Sequence, residues 1–155
     1  MEGFPGDQRM FHAVTGPGGR IDAMVAEEFD VWSFDEDRWI CLPAKTGVVR
    51  ASEERHTVFD VVMQDLPGRS VEDFTSPFAC TQGQKLLCPD MKYRTVEELV
   101  EKRLPVQHPR GNGHITKIKL IAERPEKELV YAFAVPKWMN VIHGAVVFST
   151  AGVPA

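Results

Sequence analysis

The sequence predicts an α+β fold, an antiparallel sheet of about five to seven strands with one short helix packed on it. Three observations carry that expectation. The stretch ITKIKLIAERPEKELVYAFAVP, residues 115–136, has the cleanest strand periodicity in the chain, with Ile118, Leu120 and Ala122 on one face opposite Lys117, Lys119 and Glu123. Two further stretches, 24–42 and 47–64, set strand-favouring apolar runs around a charged middle. Only TVEELVEKRL, residues 95–104, joins helical spacing to helix-capping chemistry.

Taken in order, residues 1–23 hold Gly3, Pro5, Gly6, Gly16, Pro17, Gly18 and Gly19, a density of breakers that reads as an arm outside the core. The GPGGR within it lacks a preceding strand and a following Lys-Ser/Thr, so it reads as a turn rather than a phosphate loop. The domain proper then runs from residue 24 to 155. In MVAEEFDVWSFDEDRWICL, Phe29, Val31, Trp32, Phe34, Trp39 and Ile40 favour strands, with SFDEDR as a hairpin turn. Asp35, Glu36 and Asp37 are consecutive and cannot all face one point, which fits a solvated turn better than an acid/base or metal site. A second hairpin is expected over 47–64 through ASEERH, with His56 at the entry to its return strand. Residues 65–94 hold three prolines and two glycines and read as an irregular long loop.

In the helix, Thr95 and Glu98 have the capping-box spacing, Glu97 and Glu98 suit the positive end of the dipole, and Lys102 and Arg103 its negative end. Val96, Leu99, Val100 and Leu104 form its apolar stripe, and Pro105 ends it. HPRGNGH, residues 108–114, is a glycine-rich turn whose His108 and His114 find no third metal ligand at useful spacing. After it, Ile118, Leu120 and Ala122 share one strand face, and ERPEKE turns the chain back into Leu129, Tyr131, Phe133 and Val135 as an antiparallel hairpin.

At 155 residues the chain is of one-domain length, and its 43% apolar and 26% charged residues are globular values. No apolar run approaches the ~20 residues a membrane helix needs, and MEGFPGDQRM has no secretory pattern. The three cysteines, Cys41, Cys80 and Cys88, are expected as free thiols in a reducing, intracellular compartment, cytoplasm or organelle matrix. Charge is polarised. Residues 1–40 carry nine acids against three arginines, and residues 101–155 carry eight bases against four acids. The overall charge of −4 argues against nucleic acid as the main partner. The sequence implies no cofactor and no metal, and it holds no GxSxG, HExxH, CxxC or Walker loop.

The closing stretch, VPKWMNVIHGAVVFSTAG, resembles the hotdog-fold acyl-CoA thioesterases over roughly the last 40 residues. The resemblance implies that Asn140, His143 and Gly144 form a loop and turn opening a long helix, whose N-terminal N–H polarises a thioester carbonyl. Ala145 stands where the family has a second glycine, and Gly152 stands near its helical carboxylate. The resemblance therefore implies a degenerate, truncated copy. The same residues are rich in Val, Ile, Phe and Thr, which suits a strand with Gly144 at a bend. The function expected is a non-catalytic accessory subunit gripping other protein subunits. The alternative is an acyl-CoA-binding, thioesterase-related domain.

Overall fold

The computed structural model describes residues 2–5, 30–35, 37, 40–45, 49–66, 78–109, 115–135, 137–143 and 146–152. Among them the chain forms twelve strands and one helix. The strands are β1 (Phe4–Pro5), β2 (Asp30–Asp35), β3 (Ile40–Lys45), β4 (Val49–Ala51), β5 (Phe59–Leu66), β6 (Phe78–Cys80), β7 (Lys85–Leu87) and β8 (Tyr93–Thr95). After the helix α1 (Val96–Lys102) come β9 (Ile115–Glu123), β10 (Val130–Phe133), β11 (Asn140–His143) and β12 (Val146–Ser149). Four small sheets result, ordered β1-β10-β4, β11-β12-β7-β8, β2-β3 and β6-β5-β9. The single-sheet α+β expectation is thus corrected to a largely β fold with one short helix. No helix among the described residues is long and apolar enough to cross a membrane.

The β2–β3 hairpin forms where its turn residues place it, with Asp30 opposite Lys45 and Asp35 opposite Ile40. The other two expected hairpins do not form. β4 pairs with β10 rather than β5, and β9 pairs with β5 rather than β10. The cause lies at the entry to β5. His56 and Glu128 exchange backbone bonds at 2.6 and 2.9 Å, and the Arg124 N–H reaches the Val58 carbonyl at 2.8 Å. The Arg124 guanidinium also bonds Asp60 and Glu128, so residues 124–128 are held against residues 56–60 and the chain leaves in a new direction.

β9 also departs from strict alternation. Met63 lies opposite Ile118 and Val62 opposite Leu120, which leaves Lys119 as a bulge. The slip turns the strand by one position, so Ile118 and Ile121 both pack on the core while Ala122 is exposed.

Two segments set aside by the sequence reading contribute to the core. Phe4 and Pro5, in the supposed arm, pair with Tyr131 and Val130, and Phe4 is buried. The 65–94 loop contains β6, β7 and β8, all in sheets. The main core gathers Phe4, Phe78, Phe133 and Phe148 with Met63, Leu86, Leu99 and Val141. Phe148 is its hub, meeting Phe4 at 4.8 Å and Phe78 at 4.9 Å, both edge to face.

The helix follows its signals in part. The Glu98 N–H donates to Thr95 Oγ1 at 3.1 Å, and Arg103 closes the C-terminus in the left-handed region at φ 53°. The reciprocal half of the capping box is not seen, because the Glu98 carboxylate bonds Lys102 at 2.9 Å. Val96 and Leu99 are buried, whereas Val100, counted in the stripe, is exposed.

Candidate functional site

The fold brings its first and last strands to one turn, Thr81–Gln84, between β6 and β7. The turn closes with a Gln84 N–H to Thr81 carbonyl bond of 3.1 Å, and the Val96 N–H bonds the Gln84 carbonyl at 3.0 Å, which fixes the start of α1 to it. The edge-to-face contact of Phe4 with Phe148 holds β1 beside β12 at this place.

On the β1 side, the Gly3 N–H donates to Thr81 Oγ1 at 3.2 Å, and the Thr81 N–H donates to the Gly3 carbonyl at 3.1 Å. The Thr81 hydroxyl donates in turn to the Glu2 carboxylate. Gly3 lies so close to β10 that a Cβ there would sit 2.5 Å from the Tyr131 carbonyl oxygen. Only glycine passes, and this residue brings no side-chain nucleophile to its own peptide bond. Beneath lies Cys80, fully buried, whose thiol is pushed well above the ordinary range by burial and then by the Glu2 charge. Cys80 and Cys88 are both buried free thiols.

On the β12 side, Gln84 Nε2 donates to the Ser149 carbonyl at 2.8 Å. The next residue, Thr150, sends its N–H to the Met139 carbonyl at 2.8 Å. Its buried Oγ1 has no hydrogen-bond partner among the described residues. A cleft of about 470 Å³ opens beside this strand, lined by Phe34, Trp138, Asn140 and Ser149.

The residues singled out from the sequence lie elsewhere or serve other ends. Asn140 is a staple: Oδ1 accepts from the Phe34 N–H at 2.7 Å, and Nδ2 donates to the Phe34 and Trp138 carbonyls at 2.9 and 3.1 Å. His143 lies on β11 opposite Val146, and Gly144 is outside the described residues. Asn140 and His143 lie on strand β11 and residues 146–149 form strand β12, so among the described residues the long helix that the hotdog resemblance requires is not found there. Asp35 accepts from the Asp37 N–H at 3.1 Å inside its own turn. His56 makes the bridge to Glu128 already described, and Glu98 pairs with Lys102. Glu36, GPGGR and His114 lie outside the described residues. The residues that do converge, Glu2, Gly3, Thr81, Gln84, Ser149 and Thr150, form no motif. The one local hint is a Thr and a Gln three apart in a turn between two apolar strands.

No protein-family model matches the sequence, and no curated protein sequence does. Solved structures do match. The DnaB intein from Synechocystis sp. PCC 6803 is similar at TM-score 0.69 and 19% identity, over 97% of this chain and 99% of that one. The Ssp DnaB mini-intein variant M86 is similar at TM-score 0.68 and 18% identity, over 96% and 94%. A bacterial intein-like domain from Clostridium thermocellum is similar at TM-score 0.66 and 13% identity, over 96% and 99%. This likeness spans nearly the whole chain and overturns the hotdog resemblance, which rested on one short stretch. The thioesterase activity and acyl-CoA ligand implied by that resemblance fall with it. The accessory-subunit expectation, drawn from the lack of a linear motif, is likewise replaced. The fold of this chain is that of the inteins.

Proposed function

We propose that this chain is an intein-like autoprocessing domain, acting on peptide bonds of the polypeptide to which it belongs. The observation that carries the reading is that one turn grips the backbone just before the first strand and at the end of the last. Protein splicing requires two distant bonds to be opened and their flanks joined, so the two must meet. Here Thr81 holds the Gly3 amide across 78 residues and Gln84 holds the Ser149 carbonyl across 65. The solved structures of similar fold are inteins and an intein-like domain, which supports the same reading.

The chemistry available at each bond differs. At Glu2–Gly3, the Thr81 hydroxyl lies on the amide nitrogen and the Glu2 carboxylate on that hydroxyl, a path along which a leaving amine can receive its proton. The acyl acceptor must come from another residue or from water, since Gly3 has none. At the β12 end, the Gln84 carboxamide faces a carbonyl oxygen, the placement that stabilises charge developing on it.

The test places the whole chain between two unrelated folded proteins of different mass and follows the purified fusion by gel and intact-mass spectrometry. Joined flanks, or fragments cut beside β1 or β12 that vanish in the Thr81→Val, Gln84→Leu double variant, are expected. A fusion that stays intact for days, with and without added hydroxylamine, overturns the reading.

A further inference from the structure

The cleft beside the end of β12 holds about 470 Å³, within the range of small-ligand sites. Its walls mix two chemistries. Phe34, Tyr93 and Trp138 give it aromatic surface, and Asp35 and Asp37 bring carboxylates. Against those two acids the lining sets one base, Lys137. Its Nζ lies over the Trp138 ring, 4.8 Å from the centroid, where the negative face of the π system attracts a cation. The aromatic wall of the cleft thus already carries a positive charge. Met139, also in the lining, is 50% exposed and has φ 52°, a left-handed backbone that a long side chain rarely adopts. It is held so by its N–H on the Val135 carbonyl at 3.2 Å and by the Thr150 N–H on its own carbonyl at 2.8 Å. A strained backbone that keeps an apolar side chain in solvent beside a cleft points to a use for that side chain.

We propose that this cleft binds the side chain of an arginine presented by a partner chain. A guanidinium suits both walls at once. It is planar and weakly hydrated, so it stacks on an aromatic face while its N–H fork bonds a carboxylate. A lysine ammonium, compact and strongly hydrated, gains less from an aromatic wall. Two acids against one base make the lining favour a cation over an anion. Asp37 is exposed and can turn to the incoming fork. Asp35, 8% exposed, accepts from the Asp37 N–H at 3.1 Å and fixes the turn that carries it. Lys137 holds the ring face that the guanidinium takes, so binding moves Lys137 off Trp138 and into water. The ligand enters from solvent, where Asp37, Lys137, Met139 and Ala151 are exposed. Because Ser149 also lines the cleft, a seated arginine lies beside the end of β12. The inference goes beyond the autoprocessing reading and does not depend on it, since binding opens no bond of this chain.

The experiment titrates the isotope-labelled full chain with Nα-acetyl-arginine amide and follows the backbone amides of Asp37 and Ala151 and the Trp138 indole N–H by NMR. Saturable shifts are expected with a Kd on the order of 1 mM, the usual yield for a ligand of about fifteen non-hydrogen atoms. Nα-acetyl-citrulline amide, which has the same shape and no charge, is expected to shift none of them. Lys137→Ala clears the ring face and tightens binding about 2–5-fold, the strength of an exposed cation–π contact. Trp138→Leu weakens binding about tenfold, and Asp37→Asn about threefold. Lys137 is exposed, so its variant keeps the test intact should Trp138→Leu fail to fold. The absence of saturable shifts by about 50 mM overturns the proposal. So does an equal response to the citrulline probe, and so does arginine binding that Lys137→Ala leaves unchanged or weakens. None of these outcomes involves cleavage, so a fusion that stays intact overturns the autoprocessing reading alone.

Discussion

Replacing Asn140 with alanine separates a structural role from the catalytic one that the sequence resemblance implied. The side chain is 4% exposed and makes three hydrogen bonds, one from the Phe34 N–H and two to the Phe34 and Trp138 carbonyls. The bond from Ser33 Oγ runs to the Asn140 backbone carbonyl at 2.7 Å and survives the substitution. At ~1 kcal/mol net for each bond, Asn140→Ala loses about 3 kcal/mol. For a chain of this size that is a fall in Tm of roughly 6–12 °C. Asn140→Asp keeps the acceptor for the Phe34 N–H but turns an oxygen on two carbonyls, so it loses at least as much. Urea unfolding followed by tryptophan fluorescence, fitted with a common slope, measures both variants. A loss below ~1 kcal/mol for Asn140→Ala would refute the staple, because bonds of this burial do not vanish without cost.

Three further outcomes follow from the packing and charges. Phe148→Ala removes two edge-to-face contacts at the centre of the core and is expected to lose ~3–5 kcal/mol, read by the same unfolding curves; an unchanged midpoint refutes the hub. Burial raises the thiols of both Cys80 and Cys88, so iodoacetamide near neutral pH leaves both unlabelled until urea is added, and prompt native labelling of Cys80 in peptide maps counts against the site geometry. The Arg94 guanidinium, bonded to both oxygens of Asp90, holds that carboxyl well below the usual range. Its contribution is present above the ordinary carboxylate range and lost in strong acid, so wild type and Asp90→Asn differ slightly at neutral pH and converge on acidification.

What the sequence made legible was local. The cap at Thr95, the acids and bases at the ends of α1, and the acidic turn between β2 and β3 all act within a few residues, and the chain folds there as those residues dictate. Strand pairing was not legible, because adjacent apolar runs fit several partners equally well. β9 pairs with β5, far upstream, where Arg124 and Glu128 also bond residues 56–60. Phe4 belonged to the core although its neighbours Gly3, Pro5 and Gly6 read as a loop. In that segment the glycine serves close approach to Tyr131 rather than freedom. Around Gly144 the resemblance to a helix-opening turn competed with the β-branched content of the residues on either side, and the latter decided the structure as β11 and β12. The site was the least legible part. Thr81 and Gln84 acquire meaning only when β1 and β12 arrive beside them.

The buried polar groups of this fold divide into two kinds, and the division bears on Thr150. Ser52 donates to the Glu54 carbonyl and accepts from the Val130 N–H, and the Asn140 carboxamide bonds the backbone of Phe34 and Trp138; each closes backbone that would otherwise be desolvated. Thr150 Oγ1 closes nothing among the described residues. A position selected for stability alone would be better served by valine, which has the same shape and no polar atom to desolvate. Thr150→Val is therefore expected to leave stability unchanged or raise it by about 1 kcal/mol, as removal of an unsatisfied buried hydroxyl should. Urea midpoints for wild type and Thr150→Val decide it: a loss above ~1 kcal/mol means that the hydroxyl is bonded in solution and is an ordinary structural group.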